Sequence, residues 1–326
     1  MPDGEELVKA TAEAAARQGV DKIANVLGSA FPFWGLRKRA VEAYVSAIEK
    51  SNLDPATKML QIANTKKTFR EMQNQMAIAE VAQRVAKEGT DFSMNSSVDD
   101  EWLSRYMDAG KHVSDEKLQF IWGNILAGEF ENPGNTPPSV IRILSEITTK
   151  YAEVFAYLCS LQVIIFLSDA SGKPHYANTR FLISTTDCSE YLASLGINFQ
   201  TLSELDKLGL IQFDVMAGFI DKYDIDKYPI IHIYANQKVI TCTKYHNKAF
   251  PIGEVLLTDA GQSISRFVDK KALDGFENYV FNYYKSRDGL TFSEEPMISI
   301  QPKEVEGKCT EYSYIILYKE PPQTSE

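Results

Sequence analysis

Between Asp54 and Gly89 the sequence contains nothing that stops a helix. Asp54 is a natural N-cap, Pro55 suits the first helical position, and Gly89 suits the residue just past the end. A helix over that stretch runs about 50 Å at 1.5 Å per residue. Met59, Ile62, Phe69, Met72, Met76, Val81 and Val85 recur at spacings of three and four with interruptions, and "NTKKTFREMQNQM" makes the other face polar. Clean heptads are missing. The helix is therefore expected as one arm of an antiparallel pair or as a self-association surface, rather than as an isolated coiled coil.

The segments on either side also read as helices. "EELVKATAEAAARQGVDKIANVLGSAF" is rich in good helix formers. Pro32 and Gly35 break it within "FPFWGL", and "RKRAVEAYVSAIEKS" resumes as an amphipathic helix. After a polar stretch, Asp99 or Asp100 is expected to cap "EWLSRYMDAGKHV", and Ser114 the segment "DEKLQFIWGNILAGEF". In the latter, Leu118, Ile121, Trp122, Ile125 and Leu126 stand at i, i+3, i+4, i+7 and i+8, a full apolar stripe. "ENPGNTPPS" supplies turn chemistry, and Ser139 is expected to cap one further helix, "VIRILSEITTKYAEVFAYLCSL".

Past Leu161 the period changes. "VIIFL", "RFLIS", "YPIIHIY" and "KVITCTKY" are rich in β-formers, with a tight turn expected at Ala235-Asn236-Gln237. "CSEYLASLGI" and "NFQTLSELDKLGLI" read as short helices, and "EVLLTDAGQSISRFV" ends in another, capped by Thr258 or Asp259. "YVFNYY", "MISIQP" and "YSYIILY" read as strands. The expected fold class is α+β: an all-helical N-terminal half with one long helix, then a winged-helix-like mixed α/β C-terminal half. Residues 1–53 form N-terminal amphipathic helices, and 54–161 a helical domain with the long helix and the Trp-bearing helix. Residues 162–275 form the winged-helix-like domain, and 276–326 a strand-rich extension with a disordered tail.

Chemistry-bearing patterns are scarce. Cys159, Cys188, Cys242 and Cys309 are widely spaced, with no CxxC, and read as reduced thiols of a cytoplasmic protein. The start "MPDGEELVK" is acidic and polar where a signal peptide needs a basic start and an apolar core. No GxSxG, HExxH, GxGxxG or GxxxxGK[ST] pattern occurs, and the four histidines suggest no triad. His232, in "IIHIY", is expected on a sheet surface, and His112 at a helix C-terminus. "DKYDIDKY", from Asp221 to Tyr228, lacks the glycine and final glutamate of a calcium loop and reads as solvated. No catalytic residue, metal or cofactor is expected.

Two binding chemistries remain. The net charge of -10 disfavours a phosphate backbone as main partner, and the second helix of the winged-helix-like pair carries Glu204 and Asp206 against Lys207. Such a module fits protein docking better than DNA reading. Phe31, Phe33 and Trp34 beside Arg37, Lys38 and Arg39 combine an aromatic part for a membrane interface with cations for anionic headgroups. The same residues read more readily as a helix corner with its aromatics in the core than as a membrane contact, and also as a partner contact.

The run "VDDEWLSRYMDAGKHVSDEKLQFIWGNILAGEFENPGNTPPSVIRILSEIT" resembles an uncharacterised bacterial family, domain of unknown function 2806, and is distantly similar to the abortive infection alpha family. The resemblance rests on Asp115, Glu116, Leu118, Gln119, Trp122, Ile125, Leu126, Ala127 and Glu129. Ser139, Leu144, Ile147, "LxxLGLI" (Leu205 to Ile211) and "LTDAG" (Leu257 to Gly261) also match. It implies no enzyme activity. For the abortive-infection relatives it implies a role in phage defence. Leu118, Trp122, Ile125 and Leu126 read as the core of the motif. Gln119, Asn124 and Glu129 lie off that stripe, as solvated surface or polar contacts. The function expected is a non-enzymatic interaction protein, oligomerising and docking, with a phage component as trigger. Its place is cytoplasmic, peripheral to the inner membrane. A winged-helix nucleic-acid-binding regulator is the alternative.

Overall fold

The structure is a computed structural model and describes residue 23 and residues 38–87, 97–185, 189–245, 249–293, 296–305 and 308–317. The fold is α+β. The chain clusters into two compact units, residues 1–149 with 262–267, and residues 150–261 with 268–326.

The first unit is helical. Helix α1 (Lys38–Lys50) turns its buried Val41 and Ile48 inward and reaches α2 (Pro55–Lys87) through a short turn. Asp54 caps α2 as its chemistry requires: Oδ1 accepts from Ala56 N and Thr57 N, both at 3.0 Å. Helix α3 (Asp100–Gly110) is capped by Asp99, whose carboxylate accepts from Trp102 N at 2.7 Å. Helix α4 (Glu116–Glu131) departs from expectation at its start. Asp115 is the cap, accepting from Lys117 N and Leu118 N at 3.0 and 3.1 Å. Ser114 stands one residue too early for its hydroxyl to take that place.

The next helix is two. Helix α5 (Pro138–Glu146) opens at a proline already fixed near helical φ, with Pro137 rather than Ser139 as the flanking residue. It ends because Ile147 is extended, at ψ 133°. Helix α6 (Thr149–Ser160) follows, and from Lys150 on it belongs to the second unit.

The second half of α2 is where the first unit is tightest. A Cβ on Gly123 would stand 2.4 Å from Val81 Cβ, so α2 and α4 approach closely only because position 123 carries no side chain. Asn74 and Gln75 donate to Lys111 O and Met107 O at 2.8 and 2.9 Å. Lys111 O lies just past the end of α3, and Met107 O also accepts from Lys111 N at 3.1 Å, so the two amides tie α2 to the C-terminal end of α3.

The second unit is built on an antiparallel sheet in the order β2-β1-β5-β6-β9. Its strands are β1 (Gln162–Ser168), β2 (Pro174–Phe181), β5 (Ile230–Ala235), β6 (Lys238–Tyr245) and β9 (Leu290–Phe292). The β5–β6 hairpin turns through Asn236 and Gln237, at φ 45° and 68°, the left-handed pair that a two-residue hairpin needs. A separate hairpin, β10 (Ile298–Val305) with β11 (Lys308–Ile316), packs Ile298 and Ile300 on Ile164, Phe166 and Tyr234 of the sheet.

Between these strands lie α7 (Ser189–Ser194), α8 (Phe199–Leu208), the pair β3 (Ile211–Phe213) and β8 (Val255–Leu257), and α9 (Asp259–Ser265). A further pair, β4 (Phe219–Lys222) with β7 (Ala249–Gly253), completes this part.

Two segments of the second unit depart from expectation. "YVFNYY" belongs to helix α10 (Phe276–Lys285), not to a strand. Its buried residues are Phe276, Tyr279, Val280, Tyr283 and Tyr284, spaced i, i+3, i+4, i+7 and i+8, and that stripe outweighs the β-preference of aromatics. The "DKYDIDKY" segment is not simply solvated either. Asp221 lies in β4 with its side chain 13% exposed, in a bidentate pair with Arg180 at 3.1 and 2.9 Å.

Candidate functional site

The motif helix α4 is mainly core. Leu118, Trp122, Ile125 and Leu126 are all buried. Trp102 stacks on Tyr106 at 4.6 Å between ring centres, and Tyr106 meets Trp122 at 4.6 Å, tilted by 54°. The Tyr106 hydroxyl donates to Trp122 O at 2.6 Å. Burial, and then the charge of Glu129, hold that phenol well above its usual range.

The three polar residues off the stripe are spent inside the fold. Glu129 is 1% exposed, not solvated. Its Oε1 accepts from Gly134 N at 2.5 Å and its Oε2 from Thr136 N at 2.9 Å. A carboxylate in the last turn of a helix opposes the macrodipole. Here two loop N–H groups offset that cost, so Glu129 holds the turn that leads into α5. Half-buried Gln119 donates to Val113 O at 2.9 Å, and half-buried Asn124 to Phe120 O at 2.7 Å.

The nearest approach to a catalytic arrangement lies in the second unit. His232 is buried in β5, not at a sheet surface. Its Nε2 meets Ser168 Oγ at 2.8 Å and its Nδ1 meets Thr241 Oγ1 at 3.1 Å. One assignment satisfies every group. Met297 N donates to Thr241, Thr241 to Nδ1, Nε2–H to Ser168, and Ser168 to Gly172 O at 3.3 Å. In that tautomer the imidazole gives a proton toward the serine, whereas a general base would have to take one. Ser168 and His232 are each 0% exposed, so the pair is closed to a substrate from solution. It ties β1, β5, β6 and the start of β10 together.

Burial lowers the His232 pKa from 6.5 to about 4. Between those values the unfolded chain binds a proton that the folded chain refuses. The contribution of the neutral imidazole is therefore complete above pH 6.5 and lost as pH falls toward 4. In urea denaturation, wild type should lose about 3 kcal/mol more over that range than His232→Gln. Equal losses would contradict a neutral buried imidazole. Among the described residues no group of His, Cys, Asp and Glu could hold a metal ion.

The exposed surface is more informative. The first half of α2, from Pro55 to Arg70, contains Lys58, Lys66, Lys67 and Arg70 and no carboxylate. Ala56, Met59, Leu60, Ala63, Lys66, Lys67 and Arg70 follow at spacings of three and four, and all are exposed. Met59 is 74% and Leu60 62% exposed, and exposed Tyr44 and Leu53 lie on α1 and the turn. Ile62, Phe69, Met72 and Met76, on the opposite side, are partly buried. The interrupted periodicity thus has a cause: α2 is a core helix from about Asn74 onward and presents a free cationic-apolar stripe before it. Lys58 donates to Glu49 O at 2.9 Å and joins α1 to α2. Lys66 and Arg70 have no ion pair among the described residues.

Of the aromatic-basic residues singled out by sequence, Phe31, Phe33, Trp34 and Arg37 lie outside the described residues. Lys38 and Arg39 are exposed in the first turn of α1. A second exposed apolar run, Tyr314 to Leu317, lies at the end of the β10–β11 hairpin. No described helix is long and apolar enough to cross a membrane. A family model described as protein of unknown function (DUF2806) matches residues 61–281. No curated protein and no solved structure matches the chain.

Proposed function

We propose, for a chain that belongs to the family described as protein of unknown function (DUF2806), a non-enzymatic interaction protein that docks through the first half of α2. The observation that carries this reading is the stripe itself: exposed Met59 and Leu60 continue into Lys66, Lys67 and Arg70, on a helix whose other half is packed. Exposed apolar side chains on one helical face, joined to Lys66 and Arg70, which have no ion pair among the described residues, favour a partner over bare solvent. Gln119, Asn124 and Glu129 are engaged internally, so the motif helix supports folding of the helical unit and the stripe supports contact.

The α7–α8–β3/β8–α9 order of the second unit supports a winged-helix-like module. On α8 Lys207 is paired with Glu204 at 2.7 Å, which leaves that helix with little to offer a phosphate and favours protein docking or oligomerisation. The resemblance of the Val98–Thr148 run to the abortive infection alpha family supports phage defence as the setting. The protein would act in the cytoplasm, at the periphery of the inner membrane. The test is phage plating on bacteria that express the chain alone, with host survival followed in parallel. Reduced plating with early host death is expected. Unchanged plating across a broad phage panel would overturn the defence setting.

A further inference from the structure

Resting on that docking reading, we propose that the partner of the α2 stripe is an anionic lipid surface. The stripe has two chemistries in order along one face. Met59 and Leu60 stand near the α1–α2 turn, beside exposed Leu53 and Tyr44, and Lys66, Lys67 and Arg70 follow. From Met59 to Arg70 the helix advances about 16 Å at 1.5 Å per residue. On such a face the apolar side chains near the turn enter the acyl boundary at one end, and the cations further along meet the headgroup phosphates.

The alternatives fit the charge less well. A second copy would set cations against cations, because residues 55–70 hold no carboxylate and the next one along α2, Glu71, already pairs with Lys67 at 3.9 Å. A nucleic acid would use Lys66, Lys67 and Arg70 but leave Met59 and Leu60 without a role. The net charge of -10 confines attraction to the stripe itself, since charges beyond about 8 Å are screened in physiological salt. In sequence, Phe31, Phe33, Trp34 and Arg37 directly precede α1 and carry the same pairing of apolar and cationic groups.

The experiment is vesicle flotation of the purified full chain, with phosphatidylglycerol–phosphatidylcholine vesicles against pure phosphatidylcholine. Binding to the anionic vesicles alone, weakened by salt, is expected. Each cation near such a surface contributes about a 5-fold gain, so Lys66→Glu/Lys67→Glu/Arg70→Glu should lower affinity about 100-fold or more. Met59→Asp/Leu60→Asp should abolish flotation, with the thermal melt unchanged in both variants. No flotation of wild type, or equal flotation of wild type and variants, would overturn the lipid assignment. So would a stripe-dependent shift of duplex DNA without flotation, or a stripe-dependent dimer in sedimentation. The last two outcomes would leave the docking reading standing with a different partner.

Discussion

Gly261→Ala is expected to destabilise the second unit by about 3 kcal/mol or more, the upper range for overpacking. A Cβ at position 261 would stand 1.9 Å from Leu210 O and 2.9 Å from its carbonyl carbon. Both are backbone atoms at the end of α8, so no rotamer can move them aside. The position is fixed from three further directions. Thr258 N donates to Leu210 O at 3.1 Å, and the Thr258 hydroxyl donates to Gly209 O at 2.6 Å. Gly261 N donates to the same hydroxyl at 3.0 Å. Gly209 supplies the left-handed turn, at φ 83°, that brings the Leu210 carbonyl into place. Urea denaturation of the full chain checks this, with exposed Gln262→Ala as a neighbour expected to change stability by less than about 0.5 kcal/mol. A Gly261→Ala variant as stable as wild type would mean that α9 does not seat on Leu210.

Trp122→Ala should cost about 3–5 kcal/mol, the range for truncating a buried tryptophan. Trp122 is 0% exposed and lies against Tyr106. Trp122→Phe should cost far less than the difference in volume suggests. The indole Nε1 is buried without a hydrogen-bond partner among the described residues. Removing that unsatisfied donor returns part of what the lost ring takes away, on the order of 1–3 kcal/mol. Thermal melts of the two variants beside wild type separate the contributions. Equal losses for Phe and Ala would show that the Nε1 group is satisfied after all.

The contacts around Gly261 show how much was legible in advance. "LxxLGLI" and "LTDAG" stand about fifty residues apart in sequence. In the fold they are one joint, made by the bonds from Thr258 and the close approach of Gly261. Sequence reading placed both segments in one winged-helix-like domain but could not give the contact between Gly261 and Leu210, because it depends on backbone approach rather than on any local signal. The long helix was legible because Asp54 and Pro55 are strong local signals acting over one turn. The Trp122 stripe was legible because burial follows helical spacing. Helix α10 was misread because its aromatics favour strands locally, whereas five of them or their neighbours share one helical face. The break at Ile147 left no local mark: "SEITTKY" continues the helical pattern, and only the backbone at Ile147 departs from it.

The candidate site was less legible than the fold. The outward half of α2 has ordinary helix composition, and nothing in its spacing says which face neighbours cover. That depends on where α3 and α4 end, through Asn74, Gln75 and Gly123. Glu129 did carry a signal, since an acidic residue in a final helical turn needs a donor nearby. The donors follow in the "NPGNT" turn five and seven residues later.

The most direct measurement is phage plating, with host survival, on cells expressing wild type or Lys66→Glu/Lys67→Glu/Arg70→Glu at equal level. The three side chains are exposed, so the charge change should leave the melting temperature within about a degree or two. Loss of protection by a folded variant is the result expected of a docking stripe. Full protection by the variant would contradict it, and would move the search for the working surface to the second unit.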